Sequence, residues 1–82
     1  MVKISEKEVL AVIQKALNLD GKLITLESSV RDVNEWDSLG QLGILTALDR
    51  TFNGKIASIK ELAKADSVKK IIQILKDNSL IY

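Results

Sequence analysis

The sequence predicts an all-α fold: a small bundle of three principal helices plus one short helix, with a long loop between the first and second. Three observations carry that expectation. Apolar residues recur at helical spacing in three runs, Val9, Ile13 and Ala16 or Leu17, then Ile44, Leu48 and Phe52, then Val68, Ile71, Ile72 and Leu75. Each run follows a residue type that caps helices: Ser5, Asp37, and Asp66 or Ser67. No stretch alternates apolar and polar residues at strand period, and the chain contains no proline.

The first helix is expected from about Glu6 to Leu17. Ser5-Glu6-Lys7-Glu8 has the capping-box pattern, and Ile4 with Val9 forms a hydrophobic staple around it. Leu10 and Val12 broaden the apolar stripe. Asn18-Leu19-Asp20-Gly21 supplies the stop, with Gly21 or Asn18 able to take a left-handed conformation. Residues 19–36 show neither period, yet they carry Leu19, Leu23, Ile24, Leu26, Val30, Val33 and Trp36. So many large apolar side chains imply an ordered loop rather than a disordered linker, and ordered loops of that length are usually functional.

The second helix is expected to start with Asp37 as N-cap and Ser38 as its first residue, and to run to about Asn53 with Gly54 at C′. Ile44, Leu48 and Phe52, joined by Leu45, make its core face. Leu39, Leu42 and Thr46 lie on an adjoining line that leads away from Ser38. Ser58-Ile59-Lys60-Glu61 repeats the capping-box pattern, so a short third helix is expected over about Ile59 to Ala63, with Ile56, Ile59 and Leu62 inward. The last helix sets Val68, Ile71, Ile72 and Leu75 against a face of Lys69, Lys70, Lys76 and Asp77, read as solvated. Leu80-Ile81-Tyr82 is an apolar tail with no predicted place.

Eighty-two residues bound the chain to one domain, 1–82, with one modest core. There is no cysteine and no histidine. Disulfides, thiolate or imidazole metal ligands, and Ser-His or Cys-His catalysis are therefore excluded, and an enzyme is not expected. No apolar run approaches the roughly 18 residues of a membrane span, and Met1-Val2-Lys3-Ile4 leads into a charged helix rather than a signal-peptide core. A soluble, cytoplasmic protein without membrane insertion is expected. The net charge of +1 gives no footprint for nucleic acid. Its distribution is uneven: residues 1–26 carry four Lys against three acids, residues 27–54 two Arg against five acids, and residues 55–82 six Lys against three acids. The acidic middle third holds Ser38.

Asp37-Ser38-Leu39 opening a helix, with Ala47-Leu48, Phe52 and Gly54 downstream and capped helices on either side, resembles the acyl carrier proteins and their peptidyl carrier relatives. The resemblance runs over nearly the whole chain. It implies that Ser38 is the attachment point of a covalent 4′-phosphopantetheine, flanked by Asp37 and Leu39, and that a phosphopantetheinyl transferase installs the arm from coenzyme A. It further implies a non-catalytic carrier whose arm ends in a thiol that bears thioesters. Acyl-activating, condensing or acyltransferase enzymes would be its partners, and a monomer its expected state. An imported thiol makes sense of a chain with no cysteine of its own. No metal site is implied.

The chain also departs from that family. Carriers of fatty-acid synthesis are typically acidic along the second helix, whereas Leu39 is followed here by Gly40, Gln41, Leu42 and Gly43. Partner recognition is therefore expected to rest on apolar contact through Leu39, Leu42 and Thr46, with Trp36 and Gly43 as further candidates, rather than on charge. A specialised stand-alone carrier of a lipid or secondary-metabolite pathway, fatty-acid-like or polyketide, is the leading expectation. An aminoacyl or peptidyl carrier stays open, as does, from a different class, a small helical interaction or nucleic-acid-binding domain. A large apolar cavity lined by Ile44, Leu48, Ile71 and Leu75 would favour long acyl chains, and a tightly packed core a cargo held outside.

Two features near Ser38 each have two readings. Gly40 and Gly43 share a helix face and each costs up to about 1 kcal/mol relative to Ala. They are either tolerated near the helix start or kept bare so that the arm or a partner can approach. Trp36 either anchors the loop against the helices or contacts the arm or a partner.

Overall fold

Ser5 opens the first helix in the computed structural model, which describes residues 4–19 and 23–81. Its backbone is extended, and its hydroxyl accepts from the Glu8 N–H at 3.2 Å. The reciprocal half of the capping box is replaced by a bond from the Ser5 hydroxyl to the Glu8 carboxylate at 3.4 Å. Helix α1 spans Glu6–Ala16, α2 Ser38–Thr51 and α3 Val68–Asp77, with a 3₁₀ turn at Lys60–Lys64 between the last two. The chain is thus the small all-α bundle that its periodicity predicts.

The core is built from the predicted stripes. Val9 and Ile13 of α1, Ile44 and Leu48 of α2, Leu62 of the 3₁₀ turn, and Val68, Ile71 and Leu75 of α3 are all essentially inaccessible to solvent. Burial of each such side chain favours folding by about 1.5–3 kcal/mol. Ile44, Leu48, Ile71 and Leu75 therefore fill the centre rather than line a cavity. Ile81 is also buried, and it pairs in parallel with Ile4. That gives the apolar tail a place: it closes the bundle against the residue that precedes the Ser5 cap of α1. Tyr82 lies outside the described residues, as does Gly21, the alternative stop for α1.

All three helices stop the same way, and none uses glycine at C′. Asn18, Asn53 and Ser79 take positive φ (55°, 55° and 58°). In each case the next residue donates back to the carbonyl five residues earlier: Leu19 to Gln14, Gly54 to Asp49, and Leu80 to Leu75. These are Schellman motifs. Asn53, not Gly54, is the C′ residue of α2, because an asparagine can hold the left-handed conformation itself. Gly54 follows at C″ with φ 81°.

The short third helix forms as a 3₁₀ turn, shifted by one residue and without its predicted cap. Ile59 is the N-cap and makes no side-chain bond, while the Ser58 hydroxyl donates to the Lys55 carbonyl at 3.2 Å. Bonds of i to i−3 type from Ile59, Leu62 and Ala65 tighten this segment. Ile56 and Leu62 are buried as expected and Ile59 is half-buried.

The lysines of α3 are not a merely solvated face. Lys69 pairs with Glu27 at 3.1 Å, Lys70 with Asp66 at 2.8 Å and Lys76 with Glu6 at 3.1 Å. Two of these pairs tie α3 to other segments, the long loop and α1. As exposed pairs each contributes at most about 1 kcal/mol.

Candidate functional site

The loop that delivers Ser38 is held by its own polar residues. Thr25 and Ser28 close one turn, with the Thr25 N–H on Ser28 Oγ and the Ser28 N–H on the Thr25 carbonyl, both at 3.0 Å. Ser29 and Asp32 close a second, where the Ser29 hydroxyl donates to Asp32 Oδ2 at 3.1 Å. The Val30 N–H bonds the Asp66 carbonyl and the Val68 N–H the Ser28 carbonyl, both at 3.0 Å, so the loop is stitched to the start of α3 through a Ser29–Ser67 bridge. The Ile24 N–H reaches Gln14 Oε1 on α1 at 3.0 Å. Apolar burial accounts for only part of the order. Leu19, Ile24, Val33 and Trp36 are buried, but Leu23 is 82 % exposed, and Leu26 and Val30 also face solvent.

Asp37 is the N-cap of α2: its backbone is extended, and its carboxylate accepts from the Gly40 N–H at 2.9 Å. Ser38 is the first helical residue. It is exposed, and its hydroxyl has no hydrogen-bond partner among the described residues. An unengaged hydroxyl at a helix start has the positive end of the helix dipole behind it.

Trp36 settles against the protein. The residue is 3 % exposed, and its Nε1–H donates to Gln41 Oε1 at 2.6 Å. Gln41 in turn donates from Nε2 to the carbonyls of Leu62 at 3.0 Å and Ala63 at 3.3 Å. This burial and this bond fit the reading of Trp36 as the anchor of the loop. Gln41 is the residue the sequence reading missed. Its spacing from Trp36 crosses from loop to helix and follows no regular period.

The two glycines differ. A Cβ on Gly40 would collide with the Glu35 carbonyl oxygen and stand 2.8 Å from Leu17 Cδ2. Gly40 is therefore required so that α2 can start tight against the loop and the end of α1. A Cβ on Gly43 would meet only the Ala16 carbonyl, at 3.5 Å, an ordinary contact. A side chain at Gly43 would thus point toward the end of α1, and the residue itself is half-buried.

Leu39 and Leu42 face outward, 78 % and 62 % exposed, and Thr46 is exposed one turn further on, with its hydroxyl on the Leu42 carbonyl at 2.9 Å. These three are the members of the predicted partner surface that the structure leaves open to solvent.

Two grooves flank this helix. One, of about 450 Å³, has Ser38 on its wall together with Val30, Trp36, Gln41, Ala63, Lys64 and Asp66. Lys70 donates to the Asp66 carboxylate there, and that bond, with the charge behind it, holds the Asp66 carboxyl below its ordinary value. The other groove, of about 440 Å³, lies between α2 and the 3₁₀ turn and is lined by Leu45, Thr46, Asp49, Ile56, Ile59 and Lys60 among others. Among the described residues no cluster of His, Cys, Asp and Glu could hold a metal ion, and no helix is long and apolar enough to cross a membrane. Comparison of the chain with protein-family models, curated proteins and solved structures found no match.

Proposed function

We propose that this protein is a non-catalytic acyl carrier, modified by 4′-phosphopantetheine on Ser38, that passes thioester-bound acyl intermediates between cytoplasmic enzymes. The observation that carries the reading is the exposed, unpartnered Ser38 hydroxyl at the first position of α2, in a chain that has no cysteine. In the modification Ser38 Oγ attacks the pantetheine-side phosphorus of coenzyme A. The new P–O bond forms as the pyrophosphate P–O bond breaks, adenosine bisphosphate leaves, and the serine proton passes to a base of the transferase.

The residues present fit that group. The Asp37 carboxylate accepts from the Gly40 N–H, and no bond joins it to the Ser38 hydroxyl. The helix start favours an added anion by about 0.3–1 kcal/mol. The bound arm would supply a terminal thiol for thioester chemistry. This chain's own part is to present the anchor and, beside it, the apolar surface of Leu39 and Leu42 to transferase and to acyl-activating, condensing or acyltransferase enzymes. Because Ile44, Leu48, Ile71 and Leu75 fill the centre of the bundle, the cargo is carried outside the core.

Intact mass after incubation with coenzyme A, Mg²⁺ and a broad-specificity phosphopantetheinyl transferase tests the assignment. A gain of one phosphopantetheine that disappears in Ser38→Ala is expected. No gain on the wild type, or a gain that survives the substitution, would sink it.

A further inference from the structure

Each of the three helices stops on a residue in the left-handed conformation, but only α2 follows that residue with glycine: the pairs are Asn18-Leu19, Asn53-Gly54 and Ser79-Leu80. Asparagine before glycine is the pairing in which the next backbone nitrogen reaches the side-chain carboxamide with least hindrance, because glycine has no Cβ in the way. Such an attack needs an unheld carboxamide and a free nitrogen. The first condition is met: Asn53 and Gly54 are exposed, and the Asn53 side chain has no hydrogen bond among the described residues. The second is withheld. The Gly54 N–H donates to the Asp49 carbonyl at 2.8 Å, the shortest of the three bonds that reach back five residues at the helix ends. The other asparagines lack this combination: Asn18 precedes the buried Leu19, Asn34 precedes Glu35, and Asn78 donates its amide to the Ile74 carbonyl at 2.8 Å.

We infer that Asn53-Gly54 is a site of spontaneous deamidation, and that the Schellman bond closing α2 controls its rate. When the last turn opens, the Gly54 nitrogen gives its proton to solvent base and attacks Asn53 Cγ. A new N–Cγ bond closes a five-membered succinimide while the Cγ–Nδ2 bond breaks, and the amide leaves as ammonia with a proton from water. Water then adds to one of the two imide carbonyls. Cleavage of N–Cγ gives aspartate, cleavage of the original peptide bond gives isoaspartate, and neither step involves oxidation. Both products disfavour the helix end that preceded them. Aspartate places a negative charge at the negative end of the helix dipole. Isoaspartate adds a methylene to the main chain between Asp49 and Gly54, so the protecting bond does not re-form in its original ring. The modification therefore loosens the end of α2 opposite Ser38, where Phe52 and Asn53 share a groove with Ile4 and Leu80.

Peptide mapping by mass spectrometry tests this on the full chain held at mildly alkaline pH, both folded and in guanidinium chloride, while hydrogen exchange reports the Gly54 amide of the folded chain. In denaturant the modification is expected to concentrate at Asn53 over Asn18, Asn34 and Asn78. In the folded chain it should run at least about tenfold slower, and the Gly54 amide should be protected by a similar factor, because both reactions wait for the same local opening. Asn53→Ser, which borrows the residue type that ends α3 at Ser79, should remove the modification from this segment. Equal rates at Asn53 in the folded and unfolded chain overturn the inference. So does a slow Asn53 beside a Gly54 amide that exchanges freely, and so does modification led by another asparagine in denaturant. These outcomes are read on the wild type and hold even where the variant does not fold.

Discussion

The indole of Trp36 gives its only N–H to Gln41 Oε1 at 2.6 Å, five residues on and across the start of α2. The same amide reaches Leu62 and Ala63 with its nitrogen. One side chain therefore joins the long loop, the helix that carries Ser38, and the 3₁₀ turn. Leaving a buried donor unpaired costs about 1–3 kcal/mol. Gln41→Ala should lower the free energy of unfolding by that amount in a denaturant titration. Gln41→Glu should be little better, because it keeps an acceptor for Trp36 but turns a carboxylate oxygen toward two carbonyls.

Gly40 and Gly43 look alike in sequence and should respond oppositely to the same change. Gly40→Ala forces a Cβ against the Glu35 carbonyl and Leu17, and overpacking of this kind costs about 1–3 kcal/mol. Gly43→Ala meets only an ordinary contact and gains helix propensity of up to about 1 kcal/mol. Thermal unfolding of the two variants should move the midpoint down for the first and up, or not at all, for the second. Two shifts of the same sign and size would refute the packing argument.

This pair also marks where the sequence was legible. The N-caps Ser5 and Asp37 were readable, and the third was narrowed to Asp66 or Ser67, of which the structure uses Ser67, because a cap is a local event: a short polar side chain and an N–H three residues on. The core stripes were readable because period alone selects Val9, Ile13, Ile44, Leu48, Ile71 and Leu75. The capping-box pattern at Ser58 misled, since a hydroxyl can equally bond a preceding carbonyl, and the Ser58 hydroxyl donates to Lys55. Helix stops at Asn53 and Ser79 were hidden by the search for glycine. The need for Gly40, the part played by Gln41, and the groove shared by Val30, Ser38 and Lys64 all depend on segments distant in sequence, which no spacing rule reports.

Asp66 should give the loop-to-α3 junction an acid-sensitive contact. Its carboxyl is held below the ordinary carboxylate value by the hydrogen bond and charge of Lys70. A group depressed in the folded state contributes stability above its unfolded pKa, and that contribution is lost as pH falls through the folded value. The wild type should therefore exceed Asp66→Asn in thermal midpoint at neutral pH, and the difference should shrink only below about pH 4, the ordinary carboxylate range. A difference that stayed constant across that range would mean that the pair contributes nothing through charge.

Leu39 and Leu42 are the large apolar side chains that α2 turns to solvent, and they stand one helical turn apart immediately after Ser38. Single exposed leucines are ordinary on protein surfaces. Two on one line beside Ser38, on a helix whose first turn holds no acid, are the surface through which the proposed carrier would meet its partners, by burial rather than by charge. Leu39→Ala and Leu42→Ala should each leave unfolding free energy within about 0.5 kcal/mol of the wild type, because neither side chain is part of the core. In transfer to a cognate enzyme each should raise the KM for the loaded carrier by roughly tenfold, the ratio that corresponds to 1.4 kcal/mol at an interface anchor. Added salt separates this mode from electrostatic steering, since screening weakens attraction between charges and leaves apolar burial in place. A transfer rate that fell steeply with salt, together with an unchanged KM in both leucine variants, would show that the acids nearest Ser38 in the middle third, Asp32, Glu35, Asp37 and Asp49, guide the encounter instead.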